Sequence, residues 1–105
     1  MELTQGVRFD TLELSPELLR ALLERNIVQS TPVQAGCIPP MLAWRDVIAK
    51  APTGTGKTFA YGIPIVEHID PEDESVQAVI LAPTRELAMQ ITDELRVLYA
   101  YKPGI

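Results

Sequence analysis

Apolar positions along the chain follow two kinds of pattern. Leu18, Leu19, Leu22 and Leu23 recur at helical spacing, and Leu87, Ile91, Leu95 and Leu98 do so again at i, i+4, i+8 and i+11. Each set lies along one face of a helix with 3.6 residues per turn. Residues 46–51 and 76–82 are instead short apolar stretches containing β-branched residues, the pattern of buried strands.

Local signals bound these elements. Ser15, Pro16 and Glu17 read as an N-cap, a first helical residue that needs no N–H, and a carboxylate at the positive helix end. They predict a helix over 16–25, stopped at Asn26, a residue that tolerates the left-handed conformation. Thr31, Pro32 and Gln34 open a second helix, which Pro39 and Pro40 are expected to interrupt or restart before Trp44. A glycine-bearing turn after residues 46–51 leads into a helix over 57–68, kinked or reset at Pro64. Residues 70–75 form an acidic loop, and Thr84 caps the last helix. Strand, helix, strand, helix predicts an α/β fold with parallel strands.

Composition agrees with one modest domain. The 105 residues are 47% hydrophobic and 22% charged, as in ordinary globular proteins. The longest apolar runs, at 38–44 and 76–83, fall far short of the roughly 20 residues that cross a bilayer. No basic segment precedes a hydrophobic one, and Cys37 has no partner in the chain, so a cytoplasmic location is expected. The net charge of −5 and the lack of any Lys/Arg run exclude a broad electrostatic nucleic-acid surface. Local contacts through backbone amides and single side chains stay open.

The chemistry concentrates in Ala51-Pro52-Thr53-Gly54-Thr55-Gly56-Lys57-Thr58. Gly54 and Gly56 allow the backbone to curl so that successive N–H groups point at a phosphate. Lys57 supplies a charge for the β and γ phosphates, and Thr58 a hydroxyl that ligates Mg²⁺. Ala51 stands where the strict phosphate-loop pattern has glycine. The structural alternative is a flexible glycine turn with a surface lysine.

Two residues upstream carry a choice. Gln34 follows Thr31 at capping-box spacing. Its amide also offers the donor and acceptor that match the N6 and N7 edge of adenine. Phe9 is either a stacking platform for such a base or a core residue.

In order and spacing, Phe9, then Asn26-Ile27-Val28-Gln29-Ser30-Thr31-Pro32-Val33-Gln34, then residues 51–58, then Pro83-Thr84-Arg85-Glu86-Leu87-Ala88 resemble the DEAD-box RNA helicases. They correspond to the upstream aromatic, the Q motif, motif I and motif Ia. The resemblance implies that 1–105 is the N-terminal portion of a first RecA-like domain, with 1–45 as Q-motif region and 46–105 as a P-loop βαβα unit. It implies that Thr31 and Gln34 read adenine, that Phe9 stacks on it, and that Thr53, Gly54, Thr55, Gly56, Lys57 and Thr58 hold the phosphates of ATP or ADP. Lys57 and Thr58 would take the catalytic roles, with Thr58 on Mg²⁺. Pro83, Thr84 and Arg85 would seat a backbone phosphate of single-stranded RNA at a helix N-terminus. Plain helix capping is the alternative there.

The chain departs from the family at Asn26, Ser30 and Trp44, where glycine, proline and glycine are usual. A bulky residue at positive φ costs on the order of 1–2 kcal/mol, so a locally different turn is expected at Trp44. No Asp-Glu-Ala-Asp segment or finger arginine occurs in the sequence, so ATP binding without hydrolysis is expected of this chain alone. In the family two further strands separate the two present here, which predicts unpaired edges and a homodimer. A vestigial, non-enzymatic fragment and a different P-loop enzyme, such as a small-molecule kinase, are the competing classes.

Overall fold

The computed structural model describes residues 6–51, 56–102 and 104. Four α-helices make the frame: α1 (Pro16–Glu24), α2 (Pro32–Leu42), α3 (Lys57–His68) and α4 (Arg85–Leu98). Three begin on the side-chain caps that the sequence signals. The Leu18 N–H donates to Ser15 Oγ at 3.3 Å, the Gln34 N–H to Thr31 Oγ1 at 3.4 Å, and the Leu87 N–H to Thr84 Oγ1 at 3.1 Å. Each satisfies an orphan amide of a first turn, worth about 1 kcal/mol.

Both α1 and α2 end in the same way. The Ile27 N–H donates to Leu22 O and the Asn26 N–H to Leu23 O, both at 2.9 Å. The Arg45 N–H donates to Pro40 O at 3.0 Å and the Trp44 N–H to Met41 O at 3.1 Å. These are two Schellman motifs, in which the residue just past the helix is left-handed. Here those residues are Asn26 (φ 57) and Trp44 (φ 62), the two positions where the resemblance expects glycine. The turn at Trp44 therefore keeps the left-handed form instead of departing from it.

The prolines do not break their helices. Pro39 and Pro40 lie inside α2, and Pro64 lies inside α3, with each helix continuous through them. A proline removes one intrahelical bond and crowds the preceding turn.

The main core joins Phe9, Leu14, Leu18, Leu22, Ile38, Ile63, Val66 and Leu98, so it draws on α1, α2, α3, α4 and the segment before α1. α2 packs on α3, α3 on α4, and α4 on α1. Gly62 permits the second of these contacts, since a Cβ there would meet Leu95 Cδ2 at 2.7 Å. Of the apolar face predicted for α4, Ile91 and Leu98 are buried and Leu95 packs against the core, whereas Leu87 is exposed at the helix start.

The N-terminal segment is tied down by an antiparallel bridge between Arg8 and Gln29. Around it the Phe9 N–H donates to Val28 O at 3.0 Å and the Ser30 N–H to Val7 O at 2.7 Å. The Ser30 hydroxyl accepts from the Val7 N–H and donates to Val7 O.

The parallel strands expected at 46–51 and 76–82 carry no ladder among the described residues. A strand exists through its partner's hydrogen bonds, and these two segments do not pair with each other. Much of their apolar surface is open instead: Ile48 and Leu81 are each 90% exposed and Val76 is 82% exposed, whereas Val47 and Ala51 pack against Val33, Cys37 and Ala60.

Candidate nucleotide site

The site is built where α2 and α3 begin. At that end Gln34 Nε2 donates to the carbonyl of Gly56 at 3.1 Å. At the other end His68 Nε2–H donates to the carbonyl of Leu42 at 3.1 Å. First residues meet first residues and last meet last, so the two helices run side by side in parallel. Their positive N-terminal poles converge on one place, a natural setting for an anion.

Gln34 is the hinge of this corner. It is only 4% exposed, and its Oε1 accepts from the Thr31 N–H at 2.9 Å. The capping box is thus formed, as its spacing signalled. An amide has two donors and two acceptor lone pairs, so among the described residues the box and Gly56 use one of each. The capping and adenine-reading readings of Gln34 are therefore compatible.

Gly56 opens α3 in the left-handed conformation, φ 83. A Cβ there would lie 2.4 Å from Gln34 Nε2. Glycine is needed both for backbone conformation and for this close approach. Lys57 follows, exposed, and Thr58 is half-buried in the first turn. Thr53, Gly54 and Thr55 lie outside the described residues.

Phe9 is 2% exposed and packs among Leu14, Leu18 and Leu22 of the core. That burial supports the core alternative for Phe9 over the stacking one. Phe9 follows the bridged Arg8 directly, and its own N–H is held by Val28 O.

Among the described residues no group of three His, Cys, Asp or Glu side chains could hold a metal ion. Cys37 faces the second, smaller core with Val33 and Ala60, and burial pushes its thiol pKa up. It is a packing residue and not a nucleophile.

A cleft of about 450 Å³ separates Gly56, Lys57 and Thr58 from Leu87, Gln90 and Ile91 of α4. Pro83, Thr84 and Arg85 are exposed at the start of α4, one turn from that cleft. Of the two regions singled out in the sequence, residues 56–58 and Leu87 line this cleft together. The direct Gln34–Gly56 bond was not foreseen, because each residue carries its own local signal and the contact needs α2 and α3 to be parallel.

The family model for DEAD/DEAH box helicases matches residues 31–105. The chain belongs to this family. It is 49% identical over 89 residues to the DEAD-box ATP-dependent RNA helicase CshA of Bacillus licheniformis, covering 85% of this chain and 18% of that protein. To the protein of the same name from Geobacillus kaustophilus it is 48% identical over 94 residues, covering 90% and 20%. Among solved structures it resembles a DEAD box protein from Methanococcus jannaschii, with a TM-score of 0.82 and 37% identity over 87% of this chain and 25% of that one. It also resembles S. cerevisiae Dbp5 bound to RNA and ADP BeF3, with a TM-score of 0.86 and 35% identity over 90% of this chain and 25% of that one. The helices are therefore arranged as in the RecA-like domains of DEAD-box helicases. The chain spans about a fifth of the length of the CshA relatives it matches.

Proposed function

We propose that this chain forms the adenine-nucleotide corner of an ATP-dependent RNA helicase. Thr31 and Gln34 read the base, and residues 53–58 hold the phosphates of ATP or ADP. Lys57 provides the charge and Thr58 the hydroxyl toward Mg²⁺. The observation that carries the reading is the Gln34–Gly56 hydrogen bond, which joins the base-reading amide to the first turn of the phosphate-binding helix. Phe9 supports this corner from the core and does not stack on the base.

Pro83, Thr84 and Arg85 would hold a phosphate of single-stranded RNA at the start of α4. Support comes from the CshA relatives, which are named as ATP-dependent RNA helicases, and from Dbp5, which was solved bound to RNA and ADP BeF3. The Asp-Glu-Ala-Asp segment does not occur in these 105 residues, so the chain by itself binds nucleotide without hydrolysing it. A cytoplasmic setting and, for the chain alone, a homodimer through its open apolar segments complete the proposal.

Calorimetric titration with ADP and GDP in the presence of Mg²⁺ tests it. ADP is expected to bind and GDP much more weakly. Lys57→Ala should weaken ADP binding by about 1.5–3 kcal/mol, the worth of a charge-assisted contact. Equal affinity for the two nucleotides would remove the role given to Gln34, and undiminished binding in Lys57→Ala would remove that of the phosphate loop.

A further inference from the structure

At the end of the α2–α3 pair remote from the nucleotide corner, the Trp44 and His68 rings are stacked, with centroids 3.7 Å apart and planes 7° from parallel. His68 makes two contacts with the same turn. Its ring lies on Trp44, and its Nε2–H satisfies the Leu42 carbonyl, one of the orphan acceptors at the end of α2. A carbonyl can only accept, so the ring proton on that side belongs to Nε2. Trp44 meanwhile occupies the left-handed position of the Schellman motif, φ 62, where a bulky side chain is strained. Its outer face is open, with the residue 77% exposed. A large, strained and exposed aromatic gains nothing from burial at this place, and its evident partner is His68.

We infer that Trp44 and His68 form a clasp that positions the nucleotide corner from the far end of the pair. The inference rests on the site reading given above. His68 is the last residue of α3 and Gly56 caps its first turn, so one continuous helix runs from clasp to corner. Gln34 and Leu42 lie near the two ends of α2, and both are bonded to α3. Holding the clasp shut fixes how α3 lies along α2, and with it the approach of Gly56 to Gln34. The two residues act through the helices, touching no nucleotide, and are positioning residues.

The chain contains one tryptophan, so its emission reads the clasp directly. In the 105-residue chain, His68→Ala is expected to shift Trp44 emission to the red and to brighten it. It should also speed amide exchange at Ala60, whose N–H bonds Gly56 O, and weaken ADP binding several-fold. His68→Phe keeps a ring on Trp44 without the bond to Leu42, and should restore emission to near the parent value and exchange in part. If His68→Ala does not fold, His68→Gln keeps a donor for Leu42 without a ring, and the same shifts in emission and exchange are expected. Unchanged emission on loss of the His68 ring would overturn the stack, and changed emission with unchanged Ala60 exchange would overturn the positioning role. These two readouts need no nucleotide. Failure of the parent chain to bind ADP would therefore count against the site reading and leave the clasp to be judged on emission and exchange.

Discussion

Single residues decide how the proposed nucleotide corner closes, and Gly56 does so most directly. Any side chain there is strained by the left-handed backbone, at about 1–2 kcal/mol. It would also displace the Gln34 amide, with the loss of a hydrogen bond worth about 0.5–1.5 kcal/mol. Gly56→Ala is thus expected to lower stability by roughly 1.5–3.5 kcal/mol on those figures and to reduce ADP affinity. Denaturant unfolding of Gly56→Ala in the parent and in a Gln34→Ala background separates the two effects. The penalty should shrink when the amide is absent; an equal penalty would mean that the clash with Gln34 contributes nothing. Ser30 shows the same dependence on one residue. Its N–H donates to Val7 O, a bond that the proline usual at this position could not make. That departure accompanies the pairing that holds the Phe9 N–H on Val28 O.

At the level of elements, the chain just after α4 is latched to α1. The Arg20 guanidinium lies 4.2 Å from the centroid of the Tyr101 ring, and the Tyr101 hydroxyl donates to the Glu24 carboxylate. The hydrogen bond to Glu24, followed by desolvation and the Glu24 charge, raises the Tyr101 pKa, and Arg20 partly opposes this. A phenol whose folded pKa is raised stabilises the fold fully below its unfolded value, and that contribution is lost as pH rises through the folded pKa. Melting temperature is therefore expected to fall on the alkaline side, above about pH 10, with Tyr101→Phe showing less of that fall. Parallel curves for the two proteins would show that the latch is not what titrates.

Element existence was largely legible in the sequence, since Ser15, Thr31 and Thr84 signal helix starts and Asn26 a stop through contacts within a few residues. The same holds for the Thr31–Gln34 box. What could not be read locally was the continuity of α2 through Pro39 and Pro40, an element held by its packing on α3. The strand pattern at 46–51 and 76–82 was read, but its realisation depends on partners that are remote in sequence. The burial of Phe9 and the meeting of Gln34 with Gly56 are likewise tertiary outcomes, the one beside the bridge at Arg8 and the other in the parallel setting of α2 and α3.

Over the whole molecule, apolar surface is unevenly covered. The main core is closed on α1 and α3, yet Ile48, Val76, Val79 and Leu81 stand open on segments with unsatisfied strand character. Such segments favour pairing with other chains. The 105-residue chain by itself is expected to associate as concentration rises, detectable by light scattering over a concentration series. Leu81→Lys, which places a charge on one open segment, should suppress it. A concentration-independent monomer in the parent chain would show that these side chains do not drive association.

The two-ended joining of α2 to α3 also sets a mechanical tolerance. A helix of 12 residues is a rod of roughly 18 Å. Pivoted at His68, such a rod turns a rotation of about 10° into a displacement of about 3 Å at its opposite tip. That is as large as the 3.1 Å separation between Gln34 Nε2 and Gly56 O. An angular error too small to disturb side-chain packing near the pivot is thus magnified into complete loss of a contact at the tip. The rod works as a lever, and the precision required of its fulcrum is greater than local packing there would demand.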